Sequence, residues 1–268
     1  MPKYQAPRGT RDLLPADMAL WQHLEVTAGE LAQRYGYRPI QTPLFEDGAV
    51  FERAIGSATD VVEKELFRIR TPGSEEERWA LRPEATAGVA RAYIQHGMHT
   101  LPQPVRLSTF GPMFRYDRPQ AGRYRQFWQW NVEAIGDPGP AVDAEVIELG
   151  LRFLRQAGVG DTEVHVNSIG DPACRPAYVS ALVAYFRRHE EELPDAERRR
   201  LAENPLRLLD SKDARMAGLL AEAPSIDEFR CPACADHFDS LLSHLARLGV
   251  AVVRAPRLVR GLDYYTRT

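Results

Sequence analysis

Apolar side chains recur every three or four residues in two stretches of the chain, 16–35 and 141–157. This spacing places them on one face of a helix, and each stretch is followed at once by a glycine. A third helix is predicted from Glu84 to Gln95, directly after Arg82-Pro83. The pattern therefore predicts three amphipathic helices outside the region 171–247.

Strand patterns occupy the stretches between these helices. Two runs, 106–115 and 125–135, flank a loop rich in turn residues and predict a hairpin. Shorter strands are predicted at 163–168 and 250–254, and the proline-containing segment 37–45 is predicted to be extended.

Residues 171–247 differ from the rest of the chain. They carry many charges and short helical patterns that are interrupted by prolines, which predicts a helical insertion with a solvated exterior. We therefore predict a core over 1–170, the insertion over 171–247, and a return to the core over 248–268.

Composition limits the class of protein. The chain has 268 residues, of which 44% are hydrophobic and 26% charged, and these values exclude a disordered or collagen-like chain. No apolar run approaches the roughly 20 residues of a membrane span, and the N-terminus lacks the apolar core of a secretory signal. We therefore expect a cytoplasmic protein without a membrane partner. The formal net charge of −3 means that any RNA contact depends on a local basic patch.

The second strand of the predicted hairpin has two unlike faces, because strand side chains alternate. One face is predicted to pack in the core: Gln126, Trp128, Trp130, Val132 and Ala134. The other face is more polar: Arg125, Phe127, Gln129, Asn131 and Glu133. The polar face either meets solvent or forms the floor of a polar pocket.

Charge in the hairpin favours the pocket. Residues 104–130 contain five arginines and one aspartate, and arginine binds phosphate oxygens in a bidentate manner. Gln129 and Glu133 suit a ligand with N–H donors. The chain has no P-loop motif and no glycine-rich dinucleotide motif after a strand. Together these features predict a site for a phosphorylated nucleotide and an amine-bearing molecule.

The chain has three cysteines, too few for a disulfide scaffold. Cys231 and Cys234 form a Cys-Pro-Ala-Cys sequence with His237 three residues later, while Cys174 lies 57 residues before Cys231. A structural zinc site needs four ligands, and only three lie close together in the sequence. We therefore predict no metal ligands, and whether Cys231 and Cys234 bind a metal stays open.

Several motifs, in the same order, resemble the histidyl-tRNA synthetases, which are class II aminoacyl-tRNA synthetases. The segment from Phe114 to Phe127 resembles the histidyl form of motif 2, and Leu258–Tyr265 resembles the histidine-specific RGLDYY signature. Further matches are Pro7–Asp12, the motif 1 region 42–67 with Pro43, and Leu81–Thr86, which resembles the amino-acid-binding LRPE(G)T element.

This resemblance implies an α+β fold in which an antiparallel sheet is flanked by helices and interrupted by a helical insertion. It implies ATP-dependent activation of L-histidine to histidyl-adenylate, followed by transfer to the 3′ end of histidine tRNA. ATP would act with Mg²⁺, and the motif 1 region implies a homodimer. The substrates L-histidine, ATP and histidine tRNA are thus the expected partners.

The resemblance also implies roles for individual residues. Arg115 and Arg260 would act on the α-phosphate as catalytic cations. Asp117 and Arg123, with Arg115, would bind ATP. The histidine site would comprise Glu84, Thr86, Gln129, Glu133, Tyr264 and Tyr265.

The sequence departs from the family pattern at Ala85, where glycine is frequent, and at Trp128, where histidine is frequent. The family continues beyond the YYTRT segment into motif 3 and an anticodon-binding domain. We therefore expect a C-terminally truncated catalytic portion that is weakly active or inactive alone. The alternative is the synthetase-like regulatory subunit of ATP phosphoribosyltransferase, and a third possibility is a pure binding module that does no chemistry.

Overall fold

The computed structural model describes residues 4–56, 59, 61–70, 73, 78–120, 122–260 and 265–268. The chain divides into two compact units. Unit 1 comprises Met1–Pro138 and Leu149–Gly160, and unit 2 comprises Gly139–Glu148 and Asp161–Thr268. The three-part division predicted from the sequence stays a prediction.

Helices and strands follow one another along the chain. The helices are α1 Pro15–Arg34, α2 Gly48–Ile55, α3 Thr86–Gln95, α4 Pro140–Gln156, α5 Arg175–Arg188, α6 Asp195–Glu203, α7 Ala217–Glu222 and α8 Pro232–Arg247. The strands are β1 Arg38–Pro39, β2 Phe45–Asp47, β3 Arg68–Ile69, β4 Trp79–Leu81, β5 Val105–Phe114, β6 Gln126–Ile135, β7 Val164–Val166 and β8 Val252–Arg254. Short 3₁₀ or π turns lie at Val61–Glu65, Met98–Thr100, Glu190–Glu192, Pro205–Asp210, Ala214–Met216 and Ile226–Glu228.

The sheets confirm the α+β prediction. Strand β5 pairs antiparallel with β6 over their full lengths, from Val105 opposite Ile135 to Phe114 opposite Gln126, and β1 pairs parallel with β5. A second sheet has the antiparallel order β2-β4-β3. In unit 2, β7 and β8 form a parallel pair.

Helix α1 covers one side of the β5–β6 hairpin. Pro15 occupies its first turn, where a missing N–H costs nothing. Leu31 and Ala32 are buried in a cluster with the partly buried Trp130 and Val132 of β6. The predicted core face of β6 is thereby confirmed at these positions, and the opposite face is left for Gln129, Asn131 and Glu133.

A buried arginine follows strand β4 and joins it to neighbouring segments. The side chain of Arg82 is only 2% exposed. Its Nε donates to the carbonyl of Pro112 at 3.0 Å, and its Nη1 donates to the carbonyl and hydroxyl of Thr42 at 3.1 and 3.2 Å. Burial lowers the pKa of Arg82 from its ordinary value. These bonds hold β4, β5 and the segment before β2 together beneath the site.

In unit 2, helices α5 to α8 lie within the region 171–247, and many apolar residues of this region share one buried cluster. This cluster is built mainly from α5 and the short helices that follow it, and includes Tyr178, Leu182, Phe186, Leu193, Leu201, Leu208, Met216, Leu220 and Ile226. Many charged side chains of this region are exposed, as the sequence predicts. Of the helices that the structure describes, none is long and apolar enough to cross a membrane.

Candidate active site

The polar face of β6 meets the start of α3. The Glu133 carboxylate accepts a hydrogen bond from the Asn131 amide at 2.8 Å and another from the Thr86 hydroxyl, and the carboxylate of Glu84 is close enough to act on it electrostatically. The structure thus brings together Glu84, Thr86 and Glu133, three of the residues that the sequence assigns to histidine. It adds Asn131, which the alternation placed on this face without giving it a role.

Glu84 also has a structural task. It is 5% exposed, and its two carboxylate oxygens accept the backbone N–H groups of Thr86 and Ala87 at 2.9 and 2.7 Å. These donors belong to the first turn of α3, where backbone N–H groups lack partners within the helix. This helix cap was not predicted from the sequence, although an acidic residue two positions before a helix is a recognisable signal.

Gln129 carries an unpaired acceptor and lies on the same face of β6 as Glu133. Its Oε1 is buried and accepts no hydrogen bond from the residues that the structure describes. Its partner across the hairpin is Gly111, where an added Cβ would lie 2.6 Å from Nη2 of Arg82. Buried polar side-chain atoms nearly always have a partner, so the oxygen of Gln129 suits a donor supplied by a ligand.

Burial and the neighbouring groups shift the pKa of Glu133. Partial burial raises the pKa of its carboxyl from the ordinary value of 4.5, and the nearby charge of Glu84 raises it further. Hydrogen bonds from Thr86 and Asn131 oppose the rise. Two carboxylates and an unpaired amide oxygen therefore form an acceptor-rich group of side chains that favours a cationic, donor-rich ligand.

This shift predicts a pH-dependent cost of folding. A raised carboxyl pKa binds the proton more tightly in the folded state, so its stabilising effect is full below pH about 4.5 and is lost as pH rises through the folded pKa. Glu133→Gln, which cannot ionise, is expected to raise the free energy of unfolding relative to wild type, and the gain should grow across that window. Urea unfolding at a series of pH values measures it.

Glu25→Gln on the exposed surface of α1 serves as the control for this titration. Its difference from wild type is measured at the same pH values and gives the background for the comparison. A difference between wild type and Glu133→Gln that stays constant over this range would show that the shift is absent.

Arg115 lies just beyond the end of β5. Its Nε donates to the carbonyl of Pro83 at 2.9 Å, and its guanidinium lies 5.3 Å from the ring centre of Phe127. Within the described part of the chain, Arg115 forms no ion pair with a carboxylate. Its terminal nitrogens are therefore available to an anionic ligand, and the bond to Pro83 ties this cation to the segment that carries Glu84.

The loop after Arg115 is internally braced. Asp117 pairs with Arg123 at 3.1 Å, so the carboxylate and the cation assigned to ATP contact each other. The guanidinium of Arg125 stacks 3.8 Å from the ring centre of Tyr116.

The N-terminal segment also supports this loop. The backbone N–H of Arg125 donates to the carbonyl of Gly9 at 2.7 Å, and Thr10 closes a turn onto Pro7. Gly9 has a φ of +86°, and a Cβ there would lie 2.7 Å from the Arg125 side chain. Only glycine satisfies both conditions without strain. The segment Pro7–Asp12 was recognised as a motif in the sequence, but its contact with the loop after β5 was not predicted.

The remaining predicted residues belong to unit 2. Arg260 is exposed, and its guanidinium lies 5.6 Å from the ring centre of Tyr265. The carbonyl of Tyr265 accepts a hydrogen bond from Arg175 at 2.7 Å. Tyr264 lies outside the described residues. The predicted joint action of Arg115 and Arg260 on one phosphate stays a prediction.

Comparison with known proteins gives the family. The family model described as "Histidyl-tRNA synthetase" matches residues 9–267. This chain belongs to the histidyl-tRNA synthetase family. Among curated relatives, the histidine–tRNA ligase of Desulforudis audaxviator is 49% identical over 262 residues, which are 98% of this chain and 62% of that protein. The chain therefore spans about three fifths of the length of the curated histidyl-tRNA synthetases that it matches.

Solved structures agree on the fold of this histidyl-tRNA synthetase family member. The crystal structure of apo S. aureus histidyl-tRNA synthetase superposes with a TM-score of 0.76 at 36% identity, covering 98% of this chain and 60% of that one. A Bacillus halodurans structure titled "ATP phosphoribosyltransferase regulatory subunit/histidyl-tRNA synthetase" gives a TM-score of 0.68 at 23% identity, covering 99% of this chain and 71% of that one. At that identity the second likeness concerns the fold alone.

Proposed function

We propose that this chain carries the histidine-activating site of a histidine–tRNA ligase. The reaction joins L-histidine and ATP to give histidyl-adenylate and pyrophosphate, and the adenylate then acylates the 3′ end of histidine tRNA. The observation that carries the proposal is the acceptor-rich group of Glu84, Gln129 and Glu133 together with Arg115, which is bonded to the residue before Glu84 and has no described carboxylate partner. Such a pairing suits a substrate that is cationic at one end and meets a phosphate at the other.

Histidine would occupy the pocket through its N–H groups. Its ammonium group fits Glu84, Thr86 and the unpaired oxygen of Gln129, and its imidazole fits the carboxylate of Glu133. Tyr264 and Tyr265 complete the imidazole site in this proposal. A pocket built around hydrogen bonds rejects amino acids that lack matching donors, because its own polar groups are then left unpaired.

ATP would enter as its magnesium complex and place its α-phosphate at Arg115. Attack of the histidine carboxylate on that phosphorus brings negative groups together, and preorganised cations stabilise the charge that develops there. Arg260 is proposed as the second such cation. Asp117 and Arg123 would contact the adenine and outer phosphates, and in the structure these two side chains pair with each other.

The further partners follow from the family. We propose a cytoplasmic homodimer that uses the motif 1 region around Pro43. We also propose that histidine tRNA is aminoacylated by a protein of the full length of the curated relatives. The 268-residue chain alone is expected to activate histidine weakly. The regulatory-subunit alternative receives less support, because the curated relatives of 45–49% identity are named histidine–tRNA ligases.

Removing the charge of Glu133 tests the assignment of the imidazole site. Glu133→Gln is expected to weaken histidine binding by about 10–100-fold, because a charge-assisted hydrogen bond is replaced by a neutral one. ATP affinity should change by less than about threefold, because substitutions at sites that do not contact each other affect one another only slightly. Isothermal titration of the purified chain with histidine, and separately with magnesium–ATP, measures both.

Glu25→Gln is the matched control, and it should leave both affinities unchanged. Unaltered histidine affinity in Glu133→Gln would remove Glu133 from the imidazole site. Wild-type chain that binds histidine but neither ATP nor tRNA would instead favour the regulatory-subunit alternative.

A further inference from the structure

Four potential metal ligands that are distant in sequence meet in unit 2. They are Asp171, Cys174, Cys231 and Cys234, and one ligand atom from each lies within 4.8 Å of all the others. Asp171 and Cys174 precede α5, Cys231 directly precedes α8, and Cys234 lies in the first turn of α8. The proposed histidine-activating site uses none of these four side chains.

The separations between ligand atoms in the structure match those around a single tetrahedral ion. Bonds of about 2.3 Å to sulfur and about 2.0 Å to oxygen place two sulfurs about 3.8 Å apart, and a sulfur and an oxygen about 3.5 Å apart. In the structure, Sγ of Cys174 lies 3.8 Å from Sγ of Cys234 and 3.6 Å from Oδ1 of Asp171. These two separations fit two edges of a zinc tetrahedron, and all four ligand atoms lie within 4.8 Å of one another.

The fourth member of the group is Asp171 and not His237, which lies close to the cysteines in the sequence. His237 follows Cys234 by one helical turn, but its Nε2 lies 3.7 Å from a carboxylate oxygen of Asp143, and it is not a member of the four-residue group. Asp171 completes the group instead, from the opposite end of the insertion.

The surroundings of the group are those of a built site. Cys174 and Cys234 are 5% and 1% exposed, whereas Asp171 and Cys231 are partly exposed and leave a route for an ion to enter. Gly170 has a φ of +68°, and a Cβ there would lie 2.7 Å from Sγ of Cys174, so any larger residue would press on this sulfur.

The charges nearby also suit a bound cation with thiolate ligands. Three thiolates and one carboxylate exceed the charge of one divalent ion by two. Arg267 lies 3.7 Å from Oδ2 of Asp171, on the carboxylate oxygen other than the one that contacts Cys174. Such an outer partner orients a ligating carboxylate.

We propose that Asp171, Cys174, Cys231 and Cys234 bind one structural Zn²⁺ ion. Thiolate ligands in tetrahedral geometry select zinc over the harder divalent ions. An iron–sulfur cluster fits less well, because its cysteines bind different irons and hold their sulfurs farther apart than ligands of one ion.

The ion would fasten the two ends of the helical insertion to each other. It would also steady the loop 169–171, which holds the segment after the RGLDYY motif through hydrogen bonds from Ile169 to Arg267 and from Arg267 to Gly170. Zinc removal should therefore loosen unit 2, and this effect does not depend on whether the proposed ligase activity is correct.

Metal analysis of the purified chain tests the proposal. The chain should be made without a polyhistidine tag, in zinc-supplemented medium, and analysed by inductively coupled plasma mass spectrometry; about one zinc per chain is expected. Metal-free chain titrated with Co²⁺ should develop a thiolate-to-cobalt charge-transfer band and the intense visible bands of tetrahedral cobalt. Chelation should lower the melting temperature, and added zinc should restore it.

Variants at Asp171 separate a ligand from a bystander. Asp171→Ala should weaken zinc binding by more than the roughly 10–100-fold that loss of an outer-shell partner costs. Asp171→Cys, which supplies a fourth thiolate, should keep one zinc and bind it more tightly. Asp236→Asn, an exposed acid two residues after Cys234, is the control and should keep the wild-type stoichiometry.

Three results would overturn the proposal. They are a metal-free wild-type chain that cannot be loaded with zinc or cobalt, bound iron with inorganic sulfide, and a Cys174–Cys234 disulfide that persists in reducing buffer. Because the wild-type stoichiometry and the cobalt spectrum need no variant, the test stands even where an Asp171 variant fails to fold.

Discussion

Replacing Arg115 by alanine is expected to lower the rate of histidyl-adenylate formation by about 10²–10³-fold, the usual loss when one preorganised group that stabilises a transition state is removed. The described structure gives Arg115 a backbone carbonyl and an aromatic ring as neighbours, and no carboxylate. Its positive charge is thus not neutralised by a carboxylate among the described residues of unit 1. The measurement is single-turnover adenylate formation with the chain in excess over radiolabelled ATP, conditions that detect weak turnover.

Arg34→Ala provides the control for this loss, because Arg34 is exposed on α1 and pairs with Glu30 at 3.5 Å. It should leave adenylate formation unchanged. Arg115→Lys should recover only part of the rate, since a lysine ammonium cannot bind two phosphate oxygens in fork geometry. Equal rates for wild type and Arg115→Ala would remove this residue from the reaction.

Replacing Arg82 by alanine should have the largest effect on stability. The substitution leaves the carbonyls of Pro112 and Thr42 without their buried donor and opens a cavity where the guanidinium was. Each buried acceptor that loses its partner costs about 1–3 kcal/mol. We therefore expect the free energy of unfolding to fall by about 3–5 kcal/mol, measured by urea unfolding at neutral pH.

Arg78→Ala is the comparison for Arg82→Ala. Arg78 pairs with Asp47 at 2.7 Å, but its side chain is 64% exposed. An exposed ion pair contributes about 0–1 kcal/mol, so this variant should differ little from wild type. A similar small loss for Arg82→Ala would show that the buried guanidinium contributes no more than a surface ion pair.

Local pattern was sufficient for most of the secondary structure. The helix predicted over 16–35 is found at Pro15–Arg34, and the strands predicted at 106–115 and 125–135 are found within one residue of those bounds. The reason is physical: one face of each element is buried, and burial imposes the period of the element on its apolar residues. The same alternation separated Trp130 from Gln129.

Contacts between distant segments could not be predicted in this way. The proximity of Asp171 to Cys231 could not be predicted, since 60 residues separate them and neither lies in a repeating pattern. The burial of Arg82 was equally hidden, because the type of a residue does not show which carbonyl groups will surround it. The double task of Glu84, as a helix cap and a proposed ligand contact, appears only when the first turn of α3 is seen.

The bond between Gly9 and Arg125 has a practical consequence for anyone who handles this protein. Trimming the first dozen residues, a routine step when a flexible leader is suspected, would remove the only carbonyl that the structure shows for the backbone N–H of Arg125. Binding assays on such a shortened chain would then report on a loop between β5 and β6 that has lost one of its supports.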